Sequence, residues 1–165
     1  MKLGLDKYIE MERENSKVFS IMLDYIFPFL LKNRIKPIII SGSPQEAIDT
    51  YKEEFMFYAA YGIRFEIVDN KYTNNCILHT ETDHDKKRIV DQILLENLDS
   101  EVLFAFGDSE SDTPLLKSAN QAFINSSKKF LIGKQVHYFD FSSIQSGEQI
   151  VELMSQTLEF YNKEL

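Results

Sequence analysis

The fold class and the first candidate site follow from one stretch of the sequence, VLFAFGDSESD at residues 102–112. Its first five residues are apolar without interruption, which is typical of a strand buried on both faces of a parallel sheet. Gly107 ends the predicted strand, and three acidic residues follow in a loop that leads into a helical pattern. Carboxylates in such a loop offer the hard oxygen ligands that Mg²⁺ prefers, so Asp108 and Asp112 are candidate metal ligands. The alternative is a solvated acidic turn that caps the helix.

A second junction of strand and helix lies at IIISGSP, residues 38–44. Its three β-branched residues predict a buried parallel strand, and the serines, glycine and proline after them predict its end. Ser43 is placed to cap a helix that begins at Pro44. The hydroxyl of Ser41 and the exposed backbone N–H groups of this loop would suit an anionic oxygen. An ordinary capped turn would have the same sequence, so both interpretations stay open.

The third candidate is a lysine near the start of the helix that precedes residue 102. A buried or half-buried lysine can neutralise a phosphate and orient a carboxylate, whereas a Lys-Lys-Arg run is commonly a solvated helix face. The apolar Ile89, Val90 and Ile93 mark the core face of this helix. They follow Lys86 at positions +3, +4 and +7, so Lys86 shares that face and Lys87 does not. We therefore predict that Lys86 is the functional lysine, with Lys87 as the fallback.

Composition excludes several classes of protein. The chain has 165 residues, the usual length of one domain, and 44% of them are hydrophobic, enough for a real core. Its formal net charge of −8 argues against nonspecific binding of nucleic acid, which needs cationic surface. A single cysteine, Cys76, excludes an intrachain disulfide and a cysteine-based zinc cluster. No apolar stretch is long enough to span a bilayer, so we expect a soluble cytoplasmic protein with no membrane partner.

Strands alternate with helices along the chain, which predicts an α/β layered fold with a mostly parallel sheet. Ligands of such sheets bind beyond the carboxyl ends of the strands, so Ser41, Lys86 and Asp108 are expected at one rim. Elsewhere the patterns predict helices over residues 8–33, 45–54, 113–118 and 150–160, and strands over residues 64–68, 71–78, 122–125 and 136–141. Pro28 is expected to kink or split the first of these helices.

The order of these three candidate loops resembles the haloacid dehalogenase (HAD) superfamily, and most of all its phosphoserine-phosphatase-like branch. Ser41 matches the second motif of the superfamily, and residues 107–112 with the two leucines after Pro114 match the fourth. Residues 61–73 resemble the hairpin of that branch. The similarity extends from about residue 36 to residue 126, and the fourth motif is its most specific part.

This resemblance implies a three-layer Rossmann-like core and Mg²⁺-dependent hydrolysis of the phosphomonoester of a small metabolite. It implies that Ser41 and the Gly42 amide bind phosphate and that Lys86 is the catalytic lysine of the third motif. It also implies that Asp108 ligates Mg²⁺ and that Asp112 ligates the metal or supports its shell.

The resemblance further implies a nucleophilic aspartate in a D-x-D motif ahead of Ser41. The first carboxylate attacks phosphorus, and the second acts as acid and base on the leaving group and on water. Only Asp6 and Asp24 precede Ser41 in the sequence. Tyr8 stands where the second carboxylate would follow Asp6, and Asp24 lies inside a helical pattern. Asp6 is therefore the best candidate among the aspartates that the sequence offers, although it fits poorly.

We interpret the chain as the C-terminal portion of a longer phosphatase that is inactive alone. On this interpretation residues 1–35 are a helical remnant of the cap and lead-in helix, and residues 36–165 are the core. The first strand and most of the cap would be missing, and unpaired strand edges would result. The flanking strands would then pair with each other, or a strand would come from a partner, either a second copy or a complementing N-terminal segment. The alternatives are a non-catalytic module that binds phosphate or a metabolite, and a fragment that recruits a partner protein.

Overall fold

Helices and strands alternate along most of the computed structural model, with two places where one strand follows another directly. The structure describes residues 21–69, 71–98, 100–141 and 143–164. The helices in these ranges are α1 (Phe27–Lys32), α2 (Gln45–Phe55), α3 (Asp83–Glu96), α4 (Thr113–Ser118) and α5 (Ile144–Glu164). A π-helical segment (Met22–Ile26) leads into α1, and a 3₁₀ turn (Glu110–Asp112) leads into α4. The strands are β1 (Ile38–Pro44), β2 (Ala59–Val68), β3 (Lys71–Leu78), β4 (Val102–Gly107), β5 (Ala119–Ile124) and β6 (Val136–Tyr138).

The strands form two three-stranded sheets, in the orders β1-β2-β3 and β4-β5-β6. Strand β1 runs parallel to β2, and β2 returns as the antiparallel β3. All three strands of the second sheet are parallel, with Val102 opposite Ala119 and Gly107 opposite Ile124. The predicted α/β class with mostly parallel strands is therefore confirmed.

Strands β1 and β4 each have one open edge within the described ranges. Each is hydrogen-bonded to a single neighbour, and the two do not pair with each other. The expectation that the flanking strands would pair to close the gap is thus wrong for the part of the chain that the structure describes. Complete burial of these strands is also wrong, because Ile38 to Ile40 are half-buried and only Ala105 of β4 is buried. An unpaired edge leaves their side chains without neighbours on one side.

The main core joins the N-terminal helical part to the second sheet. Ile26 is fully buried in one cluster with Phe123 of β5 and Met154 of α5. Pro28 lies in the first turn of α1, and the backbone stays helical from residue 21 to Lys32, so the predicted split does not occur. No helix of the described residues is long and apolar enough to cross a membrane.

Candidate active site

A buried ion pair lies at the carboxyl end of β4. Lys86 Nζ donates to Asp112 Oδ1 at 2.5 Å and to the Ser111 hydroxyl at 3.2 Å. Lys86 and Asp112 are each only 7% exposed. A lysine so placed holds a positive charge at a fixed position next to the acidic loop, because burial and two hydrogen bonds restrain its ammonium group.

The local sequence explains why Lys86 takes this position. A capping box between Thr82 and Asp85 begins α3 one turn before the lysine, and Ile89 and Val90 bury the same face of the helix. The predicted core-facing orientation of Lys86 is therefore what the structure has.

Lys87, the fallback, points elsewhere. Its ammonium pairs with Asp91 at 2.5 Å on the exposed surface of α3, one turn along the same helix. Of the two lysines, only Lys86 contacts the acidic loop in the described residues, so the geometry favours it. Its catalytic role stays a prediction.

Asp112 organises the acidic loop through its second carboxylate oxygen. Asp112 Oδ2 accepts hydrogen bonds from the backbone N–H of Asp108 at 3.1 Å and of Ser109 at 3.2 Å. The Ser109 hydroxyl donates to the same oxygen at 3.0 Å. Burial alone raises the pKa of Asp112, but the hydrogen bond and charge of Lys86, with the two N–H groups, outweigh it and lower the pKa below its usual value. With both oxygens engaged, Asp112 is better suited to support a metal shell than to ligate the metal.

Gly107 makes this arrangement sterically possible. A Cβ at Gly107 would lie 2.8 Å from the Cβ of Asp112 and 3.0 Å from its carboxylate carbon. Any other residue would therefore push Asp112 away from Lys86 or distort the end of β4.

Asp108 is the acidic side chain of this loop that remains open. It is exposed, and its carboxylate has no hydrogen bond or ion pair among the described residues, whereas Glu110 pairs with Lys128. The described ranges hold no group of three His, Cys, Asp or Glu that could bind a metal on its own. Mg²⁺ commonly takes one or two carboxylates and fills its shell with water and phosphate. The donor set fits Mg²⁺ to that extent, and Asp108 is the residue that would hold it.

The prediction that the strand ends at Ser41 is wrong, because β1 continues to Pro44 with an irregular register between Ile40 and Pro44. Residues 41–43 of this irregular stretch, called the Ser41 loop here, keep a hydrogen-bond donor available. The Ser41 Oγ accepts from the backbone N–H of Ser43 at 3.2 Å, so its own proton remains free to be donated to an anion. Gly42 is exposed, and a Cβ there would meet only the Glu81 side chain at 4.0 Å. The backbone of the loop is thus open to the approach of a ligand.

The predicted cap of the next helix is wrong. Helix α2 begins at Gln45 with Pro44 in the capping position, and no side chain caps it. Instead the buried Gln45 side chain accepts from the Gly62 N–H at 2.7 Å and donates to the Ala60 carbonyl at 3.2 Å. A Cβ at Gly62 would lie 2.8 Å from the Ser43 carbonyl oxygen, so this glycine permits the close approach of β2 to the loop. The side chain of Gln45 therefore holds the start of α2 against β2.

A buried threonine connects the Ser41 loop with the start of α3. Thr80 is fully buried, and its hydroxyl donates to the Ser41 carbonyl at 2.5 Å. Thr82, two residues on, caps the helix that carries Lys86. Ser41 is thus hydrogen-bonded to the segment that precedes α3, and Lys86 of α3 is connected through Asp112 to the backbone of Asp108.

A cleft of about 650 Å³ adjoins this site. It is lined by Thr82, Asp83, Glu110, Ser111, Thr113, Lys128 and Phe130. Ser111 lines the cleft, and its hydroxyl also accepts the hydrogen bond from Lys86. Lys128 forms an exposed ion pair with Glu110 at 2.5 Å. The cleft offers hydroxyls, charges and one aromatic ring next to the buried ion pair.

Sequence reasoning missed Thr80, Ser111 and Lys128. Thr80 bonds a residue 39 positions away, so no local pattern marks it. The capping box at Thr82 could have been found, since Thr-x-x-Asp ahead of an apolar run is its signature. Of the two candidate nucleophiles, Asp6 lies outside the described residues, and Asp24 is exposed in the π-helical segment.

The chain is similar to a known protein family over most of its length. A family model described as haloacid dehalogenase-like hydrolase matches residues 8–117, more than half of the chain. No curated protein sequence matches the chain.

Solved structures share the fold. A probable phosphoserine phosphatase from Vibrio cholerae is 20% identical with a TM-score of 0.65, over 85% of this chain and 42% of that one. A HAD family hydrolase from Salmonella enterica subsp. enterica serovar Typhi is 24% identical with a TM-score of 0.55, over 70% and 40%. A substrate-bound phosphoserine phosphatase complex is 22% identical with a TM-score of 0.50, over 60% and 48%. The chain thus spans less than half the length of each of these chains.

Proposed function

Because the chain belongs to the haloacid dehalogenase-like hydrolase family, we propose that it carries most of the site of a Mg²⁺-dependent phosphomonoester hydrolase. One observation carries the proposal. The buried Lys86–Asp112 pair lies beside the open carboxylate of Asp108 and is connected through Thr80 to the Ser41 loop. Cationic, hydroxyl and carboxylate groups are the groups that a phosphate and a divalent cation need together.

The roles of the side chains follow from their hydrogen-bonding state. The Ser41 hydroxyl and the Gly42 N–H donate to phosphate oxygens in this proposal, which is supported by the free proton of Ser41 and the exposure of Gly42. Lys86 neutralises part of the charge that collects on the phosphoryl group during transfer, and Asp112 keeps its ammonium group in place.

Asp108 would hold Mg²⁺, with Asp112 supporting the loop that presents it. When bound, Mg²⁺ supplies Lewis-acid stabilisation of the phosphoryl oxygens. The Asp112 hydrogen bonds to the Asp108 and Ser109 N–H groups fix the backbone from which the Asp108 side chain projects.

The nucleophile in this proposal is an aspartate of a separate strand segment and is neither Asp6 nor Asp24. Its carboxylate oxygen forms a bond to phosphorus as the bond to the ester oxygen breaks, and the leaving oxygen takes a proton from a second acid. Water then attacks the phosphorus of the acyl phosphate, which releases inorganic phosphate and restores the carboxylate.

The open edges of β1 and β4 support an entry point for this aspartate. In this proposal an extended segment lies between the two edges and pairs with both strands, so that a carboxylate at its carboxyl end comes near Ser41 and Asp108. The segment would come from a complementing N-terminal polypeptide, because a second copy of the chain would bring only Asp6 and Asp24 ahead of Ser41.

The substrate class is a small phosphorylated metabolite. The adjoining cleft of about 650 Å³ has room for its carbon skeleton. Phosphoserine is the first compound to test, because two of the similar structures are phosphoserine phosphatases.

One experiment tests this proposal against its alternatives. The chain is incubated with Mg²⁺ and p-nitrophenyl phosphate or phosphoserine, alone and with a peptide of an apolar strand that ends in Asp-x-Asp. We expect turnover only with the peptide, together with a higher melting temperature in Mg²⁺ and inorganic phosphate.

The other outcomes identify other functions. If the chain alone hydrolyses the substrate and Asp6→Asn abolishes this activity, Asp6 is the nucleophile. That result would contradict the proposal that a separate strand supplies the nucleophile. Stabilisation by phosphate without turnover in either arm would favour a non-catalytic binding module. No response to phosphate or Mg²⁺ would leave a fragment that binds a partner through its open edges.

A further inference from the structure

Thr80 is a fully buried polar residue that makes its hydrogen bond to a distant part of the chain. Its hydroxyl donates to the Ser41 carbonyl at 2.5 Å, across 39 positions of sequence. Buried hydroxyls without a local backbone partner are uncommon, because most serine and threonine hydroxyls bond within a few residues. The hydrogen bond therefore fixes the distance between two segments rather than the shape of one.

The two segments are the ones that carry the proposed phosphate ligands. On one side, the carbonyl that accepts the bond belongs to Ser41 itself, so the bond restrains the backbone from which the Ser41 hydroxyl projects. On the other side, Thr80 is two residues from Thr82, which begins α3 with a capping box to Asp85. Lys86 follows in the first turns of that rigid helix, so its position depends on where the segment before it is held.

We infer that Thr80 is a positioning residue that sets the place of Ser41 relative to Lys86. The inference rests on the proposed function, in which those two side chains bind the same phosphate. Thr80 itself does not touch the phosphate, because its hydroxyl is already engaged and fully buried. Loss of the hydroxyl would free the Ser41 carbonyl and let the two ligands drift apart.

The test separates positioning from ordinary stability. Thr80→Val keeps the shape of the side chain and removes the hydroxyl, and Thr80→Ser restores the hydroxyl. Ser146→Ala is the matched control, since the buried Ser146 hydroxyl also donates to a backbone carbonyl, that of Asp140 at 2.7 Å, and contacts neither Ser41 nor Lys86. For each variant we would measure the melting temperature and the Kd for inorganic phosphate in the presence of Mg²⁺.

We expect Thr80→Val to weaken phosphate binding about tenfold or more, as the loss of outer-shell partners does at other sites. Thr80→Ser should recover most of that affinity, and Ser146→Ala should lower the melting temperature without changing the Kd. Wild-type phosphate affinity in Thr80→Val would overturn the inference. If Thr80→Val does not fold, Thr80→Ala takes its place.

A second measurement distinguishes failure of the inference from failure of the proposed function. The backbone amide resonances of Gly42 and Ser43 should shift in Thr80→Val and return in Thr80→Ser, whether or not the protein binds phosphate. Wild-type protein that does not bind phosphate would contradict the proposed function, whereas unshifted resonances in Thr80→Val would contradict the positioning role.

Discussion

Lys86 and Asp112 form a buried ion pair across 26 positions of sequence, with the ammonium nitrogen 2.5 Å from the carboxylate oxygen. Removal of one partner leaves the other charge buried and uncompensated, so Lys86→Met and Asp112→Leu should each destabilise the fold by about 3–5 kcal/mol. The double variant should be much closer to the wild type than the sum of the two changes, because no charge is then left unpaired.

Urea unfolding of the four proteins would measure this coupling. Lys87→Met serves as the control, because its exposed pair with Asp91 should leave the free energy of unfolding nearly unchanged. Additive effects of Lys86→Met and Asp112→Leu would contradict a mutual interaction of the two charges.

The lowered pKa of Asp112 predicts a pH dependence of stability. In the folded protein this carboxylate stays ionised at a pH where the unfolded chain, with a pKa of about 3.9, already binds a proton. Its contribution is therefore present above that pH and is lost as the pH falls through the lower folded pKa. The melting temperatures of wild type and Asp112→Asn should differ at pH 7, and the difference should shrink as the pH falls below about 4. A constant difference over this range would show that the ionisation of Asp112 does not contribute to stability.

Gly107 and Gly42 should respond differently to alanine. In Gly107→Ala the new Cβ would lie 2.8 Å from the Cβ of Asp112, and the resulting strain should destabilise the protein by about 1–3 kcal/mol. In Gly42→Ala the methyl group enters open space, so the melting temperature should stay within about 2 °C, or roughly 0.5 kcal/mol. The proposed approach of phosphate to the loop should nonetheless suffer in Gly42→Ala. Equal melting temperatures for the two variants would mean that Asp112 can move away from a Cβ at residue 107 without loss of stability.

Asp108 offers a variant in which binding is lost without loss of stability. Its carboxylate is exposed and unpaired among the described residues, so Asp108→Asn should fold as well as the wild type. The thermal stabilisation by Mg²⁺ with phosphate should disappear in this variant. Glu110→Gln changes a neighbouring carboxylate of the same loop and should keep that stabilisation. If both variants respond alike, nonspecific charge rather than a site at Asp108 would explain the effect of the metal.

The sequence predicted local elements well where a short pattern determines them. Strand Lys71–Leu78 and helix Thr113–Ser118 have the predicted bounds, because turn residues and a proline delimit them. Strand β2 begins at Ala59, five residues before its predicted start, since pairing of Ala59 with Ile38 extends it through a stretch that carries no alternating pattern. Helix α5 likewise extends beyond the predicted residues 150–160 at both ends.

In the candidate site, too, local features could be predicted from the sequence and long-range contacts could not. The core-facing position of Lys86 could be read from apolar residues on its own helix, because helical periodicity is local. The contacts between Lys86 and Asp112 and between Thr80 and Ser41 could not be predicted from local sequence. Each joins residues that only the tertiary fold brings together. Burial of β1 and β4 was overestimated for the same reason, since it depends on what pairs with their open edges.

The edge of β4 that is open among the described residues has a practical consequence for handling the protein. Five apolar residues follow one another there, and charges appear only at the two ends, at Glu101 and Asp108. Natural sheets protect such edges with lysine, proline or a covering segment, and an uncovered apolar edge promotes aggregation. Overproduction of this polypeptide by itself should therefore give inclusion bodies, and co-expression with whatever occupies the edge should shift it into the supernatant.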